Sequence, residues 1–302
     1  MTFDVIIIGG GPAGLSAALN LGRARRRVLL CDHGPRRNAA AEQIHGFVTR
    51  DGTPPAEFRR VGRQQLEPYS SVEARDVRVE EIRGHRGAFE VRLDTGIVEA
   101  RRILLCTGMI DELPDIEGFR ELWGRSIFQC PYCHGWEMQD RKFGFLAPGA
   151  ELLDFALLLR GWTSDVNVLT DGRYAVPPEV RTRLESAGVR IGEQRIARFS
   201  AREEHLERVE FADGSSLRLD VLFARPPQRQ VALVQSLGLA LDAGGYVQVD
   251  EGRQTSLPGI YAAGDLVTPV QSAILAAASA MQAAARLNHE LTAELAASGG
   301  LE

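Results

Sequence analysis

The stretch Val5-Ile6-Ile7-Ile8-Gly9-Gly10-Gly11-Pro12-Ala13-Gly14 decides how the rest of the chain is read. An apolar run of strand length enters a glycine-rich turn of the form G-x-G-x-x-G. A helix pattern follows over 15–21, then a second apolar run over 27–31 that ends on Asp32. Strand, glycine turn, helix, strand and acid in that order are the dinucleotide fingerprint in its required context. Gly9 permits the tight turn, Gly11 lets the backbone approach a pyrophosphate, and Gly14 lets helix and strand pack closely. The helix start, at Pro12 and Ala13, offers free N–H groups and the positive dipole end to the phosphates. Asp32 is placed to accept hydrogen bonds from a ribose. The pattern alone does not separate NAD from FAD.

Outward from this unit the chain first turns polar and loop-rich over 35–60, with a lone histidine, His45, that reads as a surface residue more readily than as a cofactor contact. Residues 72–77, 89–93 and 97–100 alternate as antiparallel strands do. The run 103–106 ends in Thr107-Gly108, small residues that would let the chain pass close to a cofactor. A second strand–turn–helix unit starts at 143 with its glycine pattern damaged: Ala147 and Leu152 replace the first and last glycines, Pro148 stands between Ala147 and Gly149, and only Gly149 remains. Proline removes a phosphate-facing N–H. This favours a nucleotide fold that no longer binds tightly over a working NADPH site. Asp171, after the next strand, would repel a 2′-phosphate, although Arg173, Arg181 and Arg183 could restore a phosphate contact.

Between the two units lies Cys130-Pro131-Tyr132-Cys133-His134-Gly135. Two thiols at this spacing can close a disulfide ring, share a metal or simply be buried. With no second cysteine pair, and with Cys31 and Cys106 each alone in a strand-like run, a four-ligand zinc site lacks donors. A redox pair beside a βαβ pattern is the leading reading, and no metal is expected. His134 is a candidate general acid or base, because imidazole titrates near neutral pH; otherwise it is a turn residue bonded to the backbone.

The chain has 302 residues, 44% of them hydrophobic, which suits about two domains. A formal net charge of -5 argues against a nucleic-acid partner. The apolar start is too short to span a membrane. Four cysteines and no signal segment lead us to expect a reducing cytoplasm. The stretch 298–302 reads as a frayed tail, left out of the fold reading.

Across nearly its whole length the sequence resembles the low-molecular-weight thioredoxin reductases. The resemblance is carried by Gly9–Gly14, Cys106-Thr107-Gly108, Cys130–Gly135 and the late block Gly259-Ile260-Tyr261-Ala262-Ala263-Gly264-Asp265. It implies an α/β fold of two Rossmann-like three-layer nucleotide-binding domains, the second inserted in the first. Residues 1–113 and 244–302 would bind FAD, and 114–243 would form the NAD(P)-binding-like domain carrying the CxxC. It further implies that Gly264 and Asp265 bind the flavin's ribityl chain. Gln271, Ser272 and Ala273 would set a helix start near the flavin edge that gains charge on reduction. By the same resemblance Cys130 is the interchange thiol, Cys133 faces the flavin, and the protein is a homodimer.

Two features depart from thioredoxin reductases: His134 where they carry Asp, and the damaged second turn. The form C-P-Y-C-H-G is closer to the FAD-dependent dithiol oxidases of the gliotoxin and holomycin type, which pass electrons to oxygen and leave NADPH doubtful as a cofactor. The expected activity is therefore oxidation of a small-molecule dithiol. The alternatives are reduction of a thioredoxin-like disulfide and a non-catalytic flavin redox sensor.

Overall fold

The computed structural model describes residues 2–34 and 36–299; the last three residues of the expected tail lie outside them. The chain forms two compact units, one of residues 1–39, 47–110 and 228–302, the other of 40–46 and 111–227.

In the first unit, strand Phe3–Ile8 pairs in parallel with Val28–Cys31 on one side and with Gly96–Leu105 on the other. Val72–Arg75 extends the sheet in parallel beyond Val28–Cys31. It was expected to be antiparallel; burial of the whole Val28–Cys31 strand makes this edge part of the parallel sheet instead. Ile260–Ala262 also pairs in parallel with the end of Gly96–Leu105. The first half of that long strand turns back antiparallel against Ala88–Leu93, which pairs with Val79–His85.

The two-residue period of a strand sorts its side chains into two cores. Val5 and Ile7 join Val28, Leu30 and Leu104 under helices Pro12–Arg23 and Ala273–Ala297. Ile6 and Ile8 point the other way, toward Phe89, Val91 and Leu93 of the antiparallel strands. The result is three layers: helices, parallel sheet, antiparallel meander. Residues 228–239, placed by the sequence reading in the inserted segment, pack in this unit because Val234 and Leu239 are buried in the meander-side core.

The second unit repeats the plan. Its parallel sheet runs Val189–Gly192, Val166–Leu169, Phe143–Leu146, Val221–Ala224, Ile127–Phe128. Phe143, Phe145, Val168 and Phe223 bury one face with Ala156, Leu159 and Leu184. Leu146, Leu169 and Leu222 bury the other with the antiparallel strands Ile196–Arg202 and His205–Phe211. The α/β class with two Rossmann-like layers, the second inserted in the first, is the observed one. The expected helix over 151–160 is broken, as a 3-10 turn at Ala150–Leu152 and a short helix Phe155–Leu159.

Gly14 and Gly11 separate folding from binding. A Cβ on Gly14 would lie 1.8 Å from the Gly9 carbonyl oxygen, whereas one on Gly11 meets nothing within 4 Å, and Gly11 has an ordinary φ of -78°. Gly14→Ala is expected to lose about 3 kcal/mol of stability, and Gly11→Ala less than about 1 kcal/mol. Denaturant unfolding of both variants without added cofactor checks this.

Candidate active site

The cysteine pair sits where strand Ile127–Phe128 gives way to a single helical turn, Pro131–His134. Cys130 is still extended, with φ -117° and ψ 116°. Pro131 takes the first helical position, where its preset φ suits the helix and its missing N–H would have had no partner. The turn closes with the Cys133 N–H donating to the Cys130 carbonyl at 3.2 Å and the Gly135 N–H to the Pro131 carbonyl at 2.6 Å. That brings the two Cα atoms to 5.3 Å, and the thiols are joined as a disulfide. Gly135 has no room for a side chain, since a Cβ would lie 2.5 Å from the Pro131 carbonyl and 2.9 Å from the Trp162 ring.

Tyr132, between the two cysteines, and Trp136, three residues past Cys133, stand 72% and 71% exposed, while Tyr132 sets its ring edge-on to Trp162 at 5.5 Å. Both rings are open to a molecule approaching this turn. Cys31 and Cys106, by contrast, are buried free thiols. Burial pushes Cys31 up to about 12 and raises Cys106 as well, so neither supplies thiolate at neutral pH. Among the described residues no three His, Cys, Asp or Glu side chains are grouped to hold a metal.

His134 stacks on Phe128, ring centroids 4.1 Å apart and planes 12° from parallel. Its Nδ1 is buried without a hydrogen bond. Burial in this apolar slot, reinforced by the charge of His45, lowers its pKa from 6.5 to about 4, although the Cys130 carbonyl opposes the shift. His134 is therefore neutral at physiological pH. His45 was expected at the surface; instead its side chain is 13% exposed and its Nε2 lies 3.5 Å from a Glu137 carboxylate oxygen. A loop histidine in isolation carried no sign of this, because the segment 40–46 packs in the second unit rather than beside its chain neighbours.

In the first unit the glycine turn is as crowded as its sequence implies. Gly9 has φ +111°, and a Cβ there would strike the Cys106 carbonyl at 2.3 Å. Asp32 is buried and accepts from the Gly10 N–H at 3.2 Å, from Arg36 at 3.3 Å and from Arg59 Nε at 2.8 Å. Burial would raise its pKa, but the hydrogen bonds and charges of Arg59 and Arg36 hold it below the usual carboxylate range. At the other end of the chain, Gly264 has φ +76° and approaches the Ala13 side chain closely. Arg37 donates to Asp265 at 3.0 Å and also to Gln271. Ser272 caps the last helix by accepting from the Leu275 N–H, with Ala273 as its first residue. Thr107 and Gly108 follow the buried Cys106, Gly108 with φ +64°.

The folded chain thus brings Gly9, Gly11, Pro12, Ala13 and Gly14 to one turn, draws Gly264 against Ala13, and links Asp265 to Gln271. Open backbone at Gly11, a helix start and a buried ionised Asp32 suit an FAD-type dinucleotide. Arg36, Arg37 and Arg59 were missed in the sequence, because each is paired with an acid remote from it or embedded in an arginine-rich surface.

The second turn differs in kind. Glu151 folds its carboxylate over Gly149, where a Cβ would meet it at 2.4 Å. Tyr174 donates to the Ala147 carbonyl at 3.1 Å, and burial beside Glu151 pushes its hydroxyl up to about 12. Asp171 is 1% exposed, accepting from the Ile196 N–H at 2.7 Å and from Arg173 at 3.0 Å. Arg181 pairs with Glu193 and Glu185, and Arg183 with Asp154. The three arginines that could have restored a phosphate contact are therefore engaged with carboxylates.

Fold and redox segment together define a disulfide oxidoreductase built on paired nucleotide folds. Residues 3–284 match the pyridine nucleotide-disulphide oxidoreductase family, and the chain belongs to it. A protein described as a probable thioredoxin reductase, from Arthroderma benhamiae, is 34% identical over 297 residues, covering 87% of this chain and 74% of that one. The crystal structure of an oxidoreductase from Agrobacterium tumefaciens is 38% identical with a TM-score of 0.91, covering 97% of this chain and 99% of its own. That of HlmI is 36% identical with a TM-score of 0.92, covering 99% and 95%. The family is one of flavin and pyridine-nucleotide enzymes, as the resemblance to thioredoxin reductases implies.

The neutral His134 sets a pH dependence. In the unfolded chain it binds a proton below about pH 6.5, whereas in the folded protein it does so only below about 4. The unfolded state then holds more protons between these values, so stability falls as pH drops from 6.5 to 4. His134→Phe, which keeps the stack on Phe128, is expected to flatten that part of the curve; chemical denaturation at several pH values measures it.

Proposed function

We propose that this protein is an FAD-dependent thiol–disulfide oxidoreductase that oxidises a small-molecule dithiol through Cys130 and Cys133, with oxygen as the final acceptor. Bound FAD supplies the two-electron exchange that a protein side chain cannot. Gly9, Gly11, Pro12, Ala13, Gly14 and Asp32 would hold its pyrophosphate and ribose. Thr107, Gly108, Gly264, Asp265, Gln271, Ser272 and Ala273 would hold the remainder.

A substrate thiol attacks Cys130 as the disulfide breaks, and Cys133 leaves with the electron pair as thiolate. The second substrate thiol then attacks the mixed disulfide, forming the substrate disulfide and freeing Cys130. His134, neutral and beside the pair, can accept a thiol proton. Over one cycle the dithiol loses two electrons and two protons, which with oxygen make hydrogen peroxide. Tyr132 and Trp136 offer an apolar face to the substrate beside the reacting sulfurs.

The observation that carries the oxidase reading over the reductase one is the second turn. Pro148 removes an N–H, Glu151 lays a carboxylate over Gly149, and Asp171 is buried and engaged. A pyrophosphate approaching this turn would meet negative charge where an intact turn offers donors. The alternative, reduction of a thioredoxin-like protein with NADPH, is favoured by what the Arthroderma relative is described as. Four cysteines in 302 residues, two of them buried free thiols, suit a reducing compartment and a cytoplasmic site of action. Exposed Val270, just before the last helix, and exposed Ile274 and Met281 on it support a homodimer.

Anaerobic stopped-flow mixing of the FAD-loaded protein decides between the readings. Dithiothreitol is expected to bleach the flavin band and air to restore it, while NADPH leaves it unchanged. Cys130→Ser should slow the dithiol reaction by on the order of 10³-fold or more. Rapid bleaching by NADPH would establish the reductase instead, and bleaching by neither would point to a sensor.

A further inference from the structure

The disulfide rides on a helical turn of four residues, Pro131–His134. Its backbone closes through the Cys133 N–H, which donates to the Cys130 carbonyl, and the Gly135 N–H, which donates to the Pro131 carbonyl. A turn this short is marginal by itself, because nucleating a helix fixes several dihedral angles for few bonds. Packing against its neighbours must supply the rest. One of these is Trp162, in the same unit. A Cβ on Gly135 would lie 2.9 Å from both Cε2 and Nε1 of the indole, so the end of the turn packs directly on that ring. Tyr132 sets its own ring edge-on to the same indole, centroids 5.5 Å apart and planes 85° apart. Trp162 thus meets the turn both between the two cysteines and just past them.

Trp162 is itself fixed. Its N–H donates to the Leu159 carbonyl at 3.0 Å, and its carbonyl accepts from the Asp140 N–H at 3.0 Å. The next residue, Thr163, is buried, and its hydroxyl donates to the Arg141 carbonyl at 2.7 Å. The indole packs against the core that holds Phe128, Phe143 and Leu159. These contacts are made by backbone and core side chains rather than by the cysteines. They are therefore available whether the pair is oxidised or reduced.

We infer that Trp162 is a positioning residue for the redox pair: its ring holds the turn closed after the disulfide is broken as well as before, and so makes that disulfide harder to reduce. It acts through the turn. While the disulfide is intact, the covalent ring keeps the turn shut. Once the pair is reduced, only packing and backbone hydrogen bonds do so. A turn that stays closed keeps the two thiols within reach, and groups held in place react at a far higher effective concentration than free ones. The coupling is reciprocal: whatever favours the closed turn favours the disulfide, and the disulfide favours the closed turn. Reduction by a dithiol breaks the S–S bond and passes two electrons and two protons to Cys130 and Cys133, while the dithiol closes its own disulfide. The inference takes from the function proposed above only that the pair is redox active, and it holds for either direction of electron flow.

The test is the equilibrium of the FAD-loaded protein with mixtures of reduced and oxidised dithiothreitol, without oxygen. Thiols are trapped by alkylation and counted by mass on the peptide carrying Cys130 and Cys133, and the flavin band is read in the same samples. Trp162→Ala should be half reduced at a ratio of reduced to oxidised dithiothreitol about tenfold lower than wild type, equivalent to about 30 mV for a two-electron couple. Tyr132→Ser, which loses the edge-on ring at similar helix propensity, should shift in the same direction by about threefold. Trp162→Phe, which keeps a ring, should stay within about twofold of wild type. A midpoint that is unmoved, or moved the other way, in Tyr132→Ser or in folded Trp162→Ala overturns the inference. So does a Trp162→Phe midpoint displaced as far as that of Trp162→Ala, since loss of the ring contact would then not be the cause. Tyr132 is exposed, so its variant decides the matter if Trp162→Ala fails to fold. Bleaching of the wild-type flavin by NADPH would sink the dithiol-oxidase reading and leave these expected midpoints as they are.

Discussion

The first unit depends on a backbone crossing that leaves no space for a Cβ. The Gly9 carbonyl lies where a Gly14 side chain would be, and the Cys106 carbonyl lies where a Gly9 side chain would be. This crossing locks the first strand, the first helix and the long central strand at one point. The strand's alternating residues can then fill two different cores, because the helix stays close enough for Val5 and Ile7 to be covered by Ala17, Ala18 and Leu21. The same crossing turns the helix start outward toward whatever anion approaches Gly11. Packing and binding share one constraint.

A second theme is how charge is stored. Asp32 is buried, yet Arg36 and Arg59 keep it ionised. Asp265 is held by Arg37. Away from the site, fully buried Arg102 pairs with Glu294, and Tyr261 donates to Glu290 at 2.6 Å beneath the last helix. Breaking one partner of such a pair leaves an uncompensated buried charge, which is far more costly than removing both. These pairs tie segments remote in sequence: Arg102 to the last helix, Arg59 to the acid after the second strand, Arg37 to the late glycine block.

The two units carry one architecture to different chemical ends. Both place a parallel sheet between helices and antiparallel strands, and both run from strand to turn to helix. In the first, the turn is bare backbone and the acid after the next strand is poised by arginines. In the second, Pro148, Glu151 and Tyr174 fill the turn, and Asp171 holds the start of strand Ile196–Arg202 through the Ile196 N–H. What remains available there is the disulfide turn, framed by Phe128, Trp162 and two exposed aromatics.

The sequence by itself determined the local chemistry. Gly9 to Gly14 announced a strand–turn–helix unit because only glycine tolerates those contacts. The Cys130–Cys133 spacing allowed a ring because one helical turn brings positions three apart together. The damaged second turn was legible in Pro148 and Leu152. What only the tertiary structure decided is which distant residues meet. Val72–Arg75 read as antiparallel, since alternation does not specify a partner strand. Residues 228–239 read as part of the inserted segment, since their apolar spacing does not say which core they enter. His45 read as a surface loop residue, although it is mostly buried beside Glu137, and Arg59 on Asp32 and Arg37 on Asp265, each far from its acid in sequence, carried no local signature. Backbone crowding is written in neighbouring residues; burial and ion pairing are set by the path of the whole chain.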